Sequence, residues 1–220
     1  MNPVLQVHHL NYSRDRLLIL EDISFVIAPG ESLGIAGPNG AGKSTLLWCI
    51  LGLLDGHGRI DKPARTSIVF QNPEDQLFMP TLLDDLMLPL RCEGMAKDQA
   101  ETAARSALRR FEMEDCAARP AAGLSLGQRK RAALALAMLR DPELLLLDEP
   151  TAELDPRASR LLAEALQISS AARLVASHDL AFLDKTCSRL IILDQGRIQA
   201  DAPAAAILAN FDLLDRHGLR

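Results

Sequence analysis

The segment "GPNGAGKST", Gly37 to Thr45, constrains the fold of this chain more than any other stretch. It fits the pattern GxxxxGK[ST], follows a β-rich run at 32–36 and precedes a helix predicted from Lys43 to about Leu51. Glycines let the backbone wrap closely, so that several N–H groups point at an anion. Lys43 adds a charge for β and γ phosphates, and the Ser44 hydroxyl suits a magnesium ion. The segment predicts a nucleotide-phosphate loop made of Gly37, Pro38, Asn39, Gly40, Ala41, Gly42, Lys43, Ser44 and Thr45.

Two acidic residues end the apolar run "LLLLDEP" at 144–150, which predicts a buried strand. Asp148 is expected to hold magnesium, directly or through water. Glu149 turns towards the γ-phosphate side, where it can orient and deprotonate an attacking water. A pair of helix-capping acids is the alternative interpretation. With the phosphate loop upstream, the two elements together predict a nucleoside triphosphate hydrolase.

The order of predicted elements indicates an α/β fold. Strands are predicted near 4–9, 18–27, 32–36 and 67–70, with an irregular stretch at 71–83. From Leu83 to Arg140 the chain is rich in Ala, Leu, Arg and Glu, which predicts an inserted helical lobe. Beyond the lobe we predict strands at 143–147, 173–176 and 189–193, helices at 157–168 and 179–185, a turn at Gly196 and a terminal helix from about 203. We therefore expect a P-loop hydrolase core with a mainly parallel sheet covered on both faces, and an N-terminal antiparallel β layer.

Composition excludes several other classes. The length of 220 residues suits one large domain, or a core with one inserted lobe. The net charge of -5 argues against a polyanion-binding protein, so nucleic acid is not an expected partner. The scattered cysteines favour buried, reduced thiols of a cytosolic protein over a zinc site or disulfides. We expect no secretory signal, and the longest apolar run, "AALALAML" at 132–139, is shorter than the roughly 20 residues of a membrane helix.

With "LSLGQ" at 124–128 ahead of "LLLLDEP", the chain resembles the nucleotide-binding subunit of ABC transporters over essentially all of its 220 residues. The resemblance implies one ATPase domain, with a core at 1–82 and 141–220 and a helical lobe at about 83–140. It further implies that Tyr12 stacks on adenine, that Gln71 of the Q-loop serves catalysis and magnesium binding, that Asp155 forms the D-loop, and that His178 is the switch histidine at the γ-phosphate.

Ser125, Gly127 and Gln128 match the signature motif of this family, which implies that they act on the ATP of a second subunit packed head to tail. A hydroxyl, an exposed N–H and the positive end of the following helix all suit a γ-phosphate. Leu126 replaces the first of two glycines usual in this motif, and a left-handed backbone there costs leucine roughly 1–2 kcal/mol. The run "RKR" at 129–131 is expected to form a solvated helix face that helps to hold the signature helix and the partner's phosphates.

The segment "VFQNPEDQLF" at 69–78 resembles the Q-loop of the energy-coupling factor subfamily, whose members import transition-metal ions and vitamins. In that subfamily the Q-loop and the next helix form the groove for coupling helices of the membrane subunit. The resemblance implies that the chain uses ATP and Mg²⁺, pairs with a second, identical or different, ATPase subunit, and binds integral-membrane subunits at the cytoplasmic face of the cell membrane.

Two other functions stay open. One is the ATPase of an exporter or lipoprotein-release complex, which is distinguished mainly by its Q-loop. The other is a soluble ABC-type ATPase acting on DNA or ribosomes. The 78 residues between Thr45 and Leu124 leave no space for the long coiled-coil insertion of the chromosome-maintenance type, which argues against the soluble class.

Overall fold

The computed structural model describes residues 2–167 and 169–220. In this part of the chain the strands are β1 (Leu5–Arg14), β2 (Leu17–Ile27), β3 (Ser32–Ala36), β4 (His57–Asp61), β5 (Thr66–Val69), β6 (Leu144–Asp148), β7 (Ala172–Ala176), β8 (Arg189–Asp194) and β9 (Arg197–Pro203). The α-helices of the same part are α1 (Lys43–Leu51), α2 (Leu82–Cys92), α3 (Lys97–Arg110), α4 (Leu126–Met138), α5 (Pro156–Leu166), α6 (Leu180–Thr186), α7 (Ala204–Ala209) and α8 (Phe211–Arg216).

The central sheet has the order β5-β6-β7-β3-β8-β9, and all its pairs are parallel except the antiparallel pair β8-β9. Leu144 and Leu146 of β6 belong to one apolar core, and Leu145 and Leu147 belong to the other. Because successive side chains of a strand point to opposite faces, an all-apolar strand is stable only when both faces are covered. The predicted mainly parallel sheet is confirmed.

A second sheet, with the order β2-β1-β4, is antiparallel. Its apolar side chains share one core with α1 and with one face of the central sheet; Val7, Leu47 and Leu146 are members from these three layers. This sheet is the predicted N-terminal antiparallel layer. It covers the face of the central sheet on which the phosphate loop leaves β3 and enters α1.

Between β5 and β6 the chain forms three α-helices in its described residues, namely α2, α3 and α4. On α3, Ala100, Ala104 and Leu108 are fully buried. Their spacing of four places them on one face of α3, as in a helix that packs with one side against its neighbours. Small residues at these positions allow the neighbouring helices to approach closely. None of the described helices is both long and apolar enough to span a membrane.

The structure differs from the sequence prediction at several places. The predictions omitted β4 and β9. The β4 sequence "HGRID" is polar, and β9 alternates only between exposed and half-buried positions, so neither strand has an apolar pattern. The terminal helix is divided in two at Asn210, whose side chain accepts the Leu213 N–H at 3.1 Å and starts α8. The predicted end of the 157–168 helix, Ile168, lies outside the described residues.

The prediction of buried thiols is wrong for one cysteine. Cys49, Cys116 and Cys187 are buried, whereas Cys92 is exposed. Cys92 is the last residue of α2, at a helix end that faces solvent. Burial raises the pKa of the Cys49 and Cys187 thiols to about 11, so both are protonated at neutral pH.

Gly34 in the middle of β3 tests the packing of the central sheet. A Cβ added there would stand 2.4 Å from Leu190 Cδ2 and 3.0 Å from Leu183 Cδ2. Both leucines are fully buried, so Gly34→Ala is expected to lower the free energy of unfolding by about 1–3 kcal/mol in urea denaturation. Gly123→Ala is the control, because its Cβ would meet nothing closer than 3.8 Å and should cost no stability. Wild-type stability of Gly34→Ala would contradict this account of the packing.

Candidate functional site

The phosphate loop presents its backbone at the carboxyl end of β3. Gly40 and Gly42 have φ values of 82° and 103°, in the left-handed region that glycine adopts freely. Gly37 lies so close to β8 that an added Cβ would stand 2.1 Å from the Leu193 carbonyl oxygen. Among the described residues, no side chain caps the start of α1 and no acidic residue lies in its first turn. The N–H groups of this helix start are therefore available to an anion.

Lys43 and Ser44 place a cation and a hydroxyl at this helix start. The Lys43 ammonium is buried and donates to the Gly37 and Pro38 carbonyl oxygens at 2.8 and 3.1 Å. Ser44 Oγ donates to Oδ1 of Asp148, the last residue of β6, at 2.9 Å. Burial raises the pKa of the Asp148 carboxyl, so its negative charge is costly without a cation. Magnesium prefers such oxygen ligands, and Ser44 and Asp148 could hold this ion.

Glu149 follows β6 in a strained turn. Its φ is 43°, a left-handed value that costs a non-glycine residue about 1–2 kcal/mol. Its carboxylate is buried, with Oε1 at 3.3 Å from Lys43 Nζ and Oε2 at 2.8 Å from His178 Nδ1. Oε1 makes no hydrogen bond within the described residues, although Lys43 lies within ion-pair distance. A buried oxygen with an unused lone pair at this position is suited to accept a proton from water.

A cleft of about 540 Å³ contains the three residues predicted to bind magnesium, Ser44, Gln71 and Asp148. Gln71 is exposed and lies two residues after the end of β5. Leu126 and Lys130, near the start of α4, also line this cleft. The structure thus brings the Q-loop, the phosphate loop and the end of β6 to one place.

A larger hollow of about 850 Å³ lies elsewhere and contains none of the predicted site residues. Its lining includes Glu143 and Ala172, at the amino ends of β6 and β7. Ligands of open α/β sheets bind outside the carboxyl ends of the strands. We therefore take the smaller cleft beside Asp148 as the candidate site.

Tyr12 lies on β1, half-buried, and is paired with Leu20 of β2. A Cβ added to Gly42 would stand 2.8 Å from Leu20 Cδ2, so β2 lies directly against the phosphate loop. Tyr12 is therefore one strand away from the loop. Asn39 and Gly40 are exposed at the tip of the loop, whereas Ala41 is buried beneath it.

The signature residues lie in a separate hollow of about 140 Å³. Ser125, Gly127 and Gln128 line it together with Asp155, and no phosphate-loop residue of the described chain belongs to its lining. Ser125 Oγ accepts the Gln128 N–H at 3.3 Å, and Gln128 Oε1 accepts the Ser125 N–H at 2.9 Å. This capping box fixes the start of α4 and leaves the hydroxyl proton of Ser125 available for donation. Asp155 caps α5 by accepting the N–H groups of Arg157 and Ala158, both at 2.8 Å.

Leu126 carries no backbone strain. It is the first residue of α4 and does not have a positive φ. The cost considered for a left-handed leucine therefore does not arise. Gly127 is the residue with a steric requirement, because a Cβ there would stand 3.1 Å from the Ala158 Cβ at the start of α5.

The prediction of a solvated face for "RKR" at 129–131 is wrong. Lys130 is 2% exposed and donates to the Glu149 carbonyl oxygen at 3.1 Å. Arg129 pairs with Glu74 at 2.7 Å and is largely buried, as is Arg131. Lys130 is a site residue that was not among those predicted from the sequence. A signal for it was present, because the alanine-rich continuation of this helix at 132–135 indicates burial on most sides.

Comparisons with known proteins agree with this geometry. Residues 20–152 match a protein-family model described as "ABC transporter". A putative ABC transporter ATP-binding protein of Gloeobacter violaceus is 42% identical over 98% of this chain and 95% of its own length. Two proteins of Rhodobacter capsulatus are also similar: the nickel import ATP-binding protein NikO, 34% identical over 98% of this chain and 95% of its own, and the cobalt import ATP-binding protein CbiO, 35% identical over 100% and 86%.

Among solved structures, cbiO1 of Clostridium perfringens, described as part of the ABC transporter complex cbiONQ, superimposes with a TM-score of 0.84. It is 30% identical, and the match covers 100% of this chain and 96% of that one. This chain and that protein therefore share the same α/β architecture. On the family match and these identities, the chain belongs to the ATP-binding proteins of ABC transporters and is an ATPase coupled to transport.

Proposed function

We propose that the chain is the ATP-hydrolysing subunit of an ABC importer of the energy-coupling factor type, and that it drives transport when ATP closes a pair of ATPase subunits. The observation that carries this proposal is the buried Glu149 carboxylate, which lies between the phosphate-loop lysine and His178. Such a carboxylate has the position that a general base for water needs beside a phosphate loop. The chain acts as one domain, with a core at 1–82 and 141–220 and a helical lobe at about 83–140.

The chemistry follows from charges that converge on one phosphoryl group. The N–H groups of the phosphate loop and the Lys43 ammonium bind the β and γ phosphates. Glu149 accepts the proton of the attacking water, and His178 holds Glu149 and the water in line through the 2.8 Å contact of its Nδ1. Ser44, Gln71 and Asp148 would hold magnesium. When bound, that ion neutralises charge that develops on the phosphate oxygens. Tyr12 stacks on the adenine ring.

Each reaction centre is completed by a second ATPase subunit. The hollow with Ser125, Gly127, Gln128 and Asp155 is separate from the cleft with Ser44 and Asp148. Ser125 and Gly127 at the start of α4 thus offer a second anion site, in a hollow that no phosphate-loop residue of the described chain lines. A two-fold pair packed head to tail places each signature motif against the other subunit's γ-phosphate, and both sites are used twice.

The transported solute is a transition-metal ion in this proposal. The similar Rhodobacter proteins are named for nickel and for cobalt import, at nearly equal identities of 34% and 35%. Both names support a transition-metal ion as the class of solute. The solute itself passes through other subunits, so the residues of an ATPase subunit do not contact it. The chain works at the cytoplasmic face of the membrane.

A groove between the Q-loop region and α2 supports docking of a membrane subunit. It has a volume of about 450 Å³, and its lining is largely apolar, including Ile68, Leu88, Pro89 and Leu136. Phe78 also lines it and, at 67%, is the most exposed large apolar side chain of the described residues, so it adds apolar surface to the groove. An amphipathic helix laid into such a groove buries apolar surface on both sides.

Asp85 adds a charge requirement to this groove. It is 3% exposed and its Oδ1 accepts the N–H groups of Phe78 and Met79, both at 2.9 Å. Oδ2 is buried and has no hydrogen-bond partner within the described residues. Burial raises the pKa of this carboxyl, so a nearby positive charge would relieve the cost of its ionisation. We infer that the docking helix carries a basic side chain opposite Asp85.

Glu149→Gln tests the catalytic role. Because glutamine cannot accept the proton of water, turnover should fall by about 10²–10⁴-fold while ATP still binds. Size-exclusion chromatography with ATP should then show trapped dimers. Glu143→Gln is the matched control, because Glu143 adjoins the other end of β6, is exposed and pairs with Arg65, and it should keep the wild-type rate. Undiminished hydrolysis by Glu149→Gln would remove Glu149 from its role.

Asp148→Asn separates stability from activity. Burial raises the pKa of Asp148 in the folded protein, so the folded protein binds this proton more tightly than the unfolded chain does. The resulting stability is fully present at low pH and is lost as the pH rises through the folded-state pKa. At neutral pH without magnesium, Asp148→Asn should therefore raise Tm, while ATPase activity falls by more than about a hundredfold. Thermal denaturation in EDTA measures the first effect, with the exposed Asp184→Asn as control. A lower Tm of Asp148→Asn would contradict the assigned cost of this charge.

Asp85→Asn tests the docking groove. The amide can still accept the Phe78 and Met79 N–H groups, but the charge is gone, so affinity for the membrane subunit should fall by about tenfold or more. The measurement is recovery of an integral-membrane companion from detergent-solubilised membranes. Asp84→Asn, next on α2 and bonded to Thr81, removes the same charge outside the groove lining and should bind normally. If the Asp85→Asn chain recovers as much of the membrane companion as the wild-type chain does, the charge requirement is contradicted. If the wild-type chain is instead recovered with ribosomes or DNA, the transport role is contradicted.

A further inference from the structure

We propose that Lys130 is a positioning residue that fixes the strained turn carrying Glu149, and that it makes the placement of this carboxylate depend on where the signature helix lies. The inference rests on the proposed function, because it takes Glu149 as the general base and Ser125 as a group that acts on the second subunit's ATP. It adds a mechanical connection between the two within one chain.

Lys130 reaches the turn from the first half of α4. Its Nζ donates to the Glu149 carbonyl oxygen at 3.1 Å, and the residue is 2% exposed. The same carbonyl oxygen also accepts the Ala152 N–H at 3.1 Å. The backbone of Glu149 has a φ of 43°, so it stays in this conformation only when neighbouring groups hold it there. The lysine is the one described side chain that donates to this carbonyl.

Burial of an ammonium group at this place requires compensation. Burial removes water from the ammonium, which makes its positive charge costly. The negative charges of Glu153, Glu149 and Asp148 offset part of this cost. Lysine is costly at such a position, and an apolar side chain of similar length would fill the same space. Packing alone therefore does not explain a lysine here, whereas its hydrogen bond to the turn that carries Glu149 does.

The same helix start carries the groups that face the second subunit. Ser125 caps α4 five residues before Lys130, so both residues belong to one hydrogen-bonded helix start. Between them, Arg129 binds Glu74 in a short turn within the Q-loop segment at 2.7 Å. One rigid helix start therefore contacts the second subunit's ATP through Ser125, the Q-loop region through Arg129 and the chain's own catalytic turn through Lys130.

This arrangement lets engagement at one ATP site affect the other. When α4 moves to meet the second subunit's γ-phosphate, the Lys130 ammonium moves with it, and the Glu149 turn is held or released accordingly. Hydrolysis in one site then responds to whether the opposite site is occupied. The two-state element is the position of α4 relative to the central sheet.

Steady-state kinetics of the full chain test the inference. Lys130→Met keeps the length of the side chain but cannot donate, so kcat should fall by about 10- to 100-fold while KM for ATP stays within about twofold. Lys130→Gln, whose amide can still donate to the carbonyl, should lose less, about fivefold. If the Met variant fails to fold, the Gln variant carries the test. Lys62→Met is the matched control, because the exposed Lys62 also donates to a backbone carbonyl, that of Leu51 at 3.3 Å, away from the site.

A single-turnover double-mutant cycle with Glu149→Gln separates this inference from the proposed function. If Lys130 acts through Glu149, Lys130→Met should slow the Glu149→Gln chain by less than about twofold. The inference is overturned if the full loss appears in both backgrounds, if kcat is unchanged in the variants, or if KM rises with the loss of kcat, as for a lysine that binds phosphate directly. The proposed function fails separately, when Glu149→Gln alone retains wild-type turnover.

Discussion

The buried carboxylate of Glu149 is the group around which the described site is arranged. A negative charge that is largely removed from water needs cations and donors close by, and Lys43, His178 and Ser177 supply them at 3.3, 2.8 and 3.2 Å. These residues are the first residue of α1 and two residues of the segment after β7, so α1, β6 and β7 must keep their relative positions for the carboxylate to be tolerated. The left-handed turn after β6 stores strain at the place where chemistry is proposed to occur.

A second constraint is the separation of the two anion sites. The phosphate loop uses the start of α1, and the signature motif uses the start of α4. Each helix start can bind negative charge, but neither surrounds a triphosphate. The chain thus has two helix starts, each of which can bind part of a triphosphate. In the proposed symmetric pair both reaction centres are completed at once, and the proposed Lys130 connection explains how the two helix starts within one chain can respond to each other.

The sequence predicted the parts of the fold that have strong periodicity. The all-apolar strands, the glycine loop with its helix and the helices between β5 and β6 follow from local patterns, and all were found. β4 and β9 were missed because their residues are polar and their pairing depends on distant strands, which a local pattern does not encode. The exposure of Cys92 and the division of the terminal helix depend likewise on what packs beside them.

The sequence predicted which residues form most of the candidate site, but not all the contacts that these residues make. The motif order placed Gln71, Asp148 and Ser44 in one cleft, as the structure has it. It did not indicate that the side-chain oxygens of Gln128 and Asp155 accept N–H groups at helix starts, or that Lys130 in the basic run is buried. A charged run usually marks a solvated face, and the position of α4 against the Glu149 turn reverses that expectation for Lys130.

The most direct test of the shared reaction centre is the ATPase activity of a mixture of two inactive variants. Lys43→Met copies lack a working phosphate loop, and Ser125→Arg copies block the signature motif, so each alone should be inactive. In a mixed pair, the intact loop of one copy meets the intact signature motif of the other. The account predicts recovery of up to about a quarter of the wild-type rate, because half of the pairs are mixed and each has one intact site. A mixture as inactive as its separate components, or wild-type activity of Ser125→Arg alone, would contradict it.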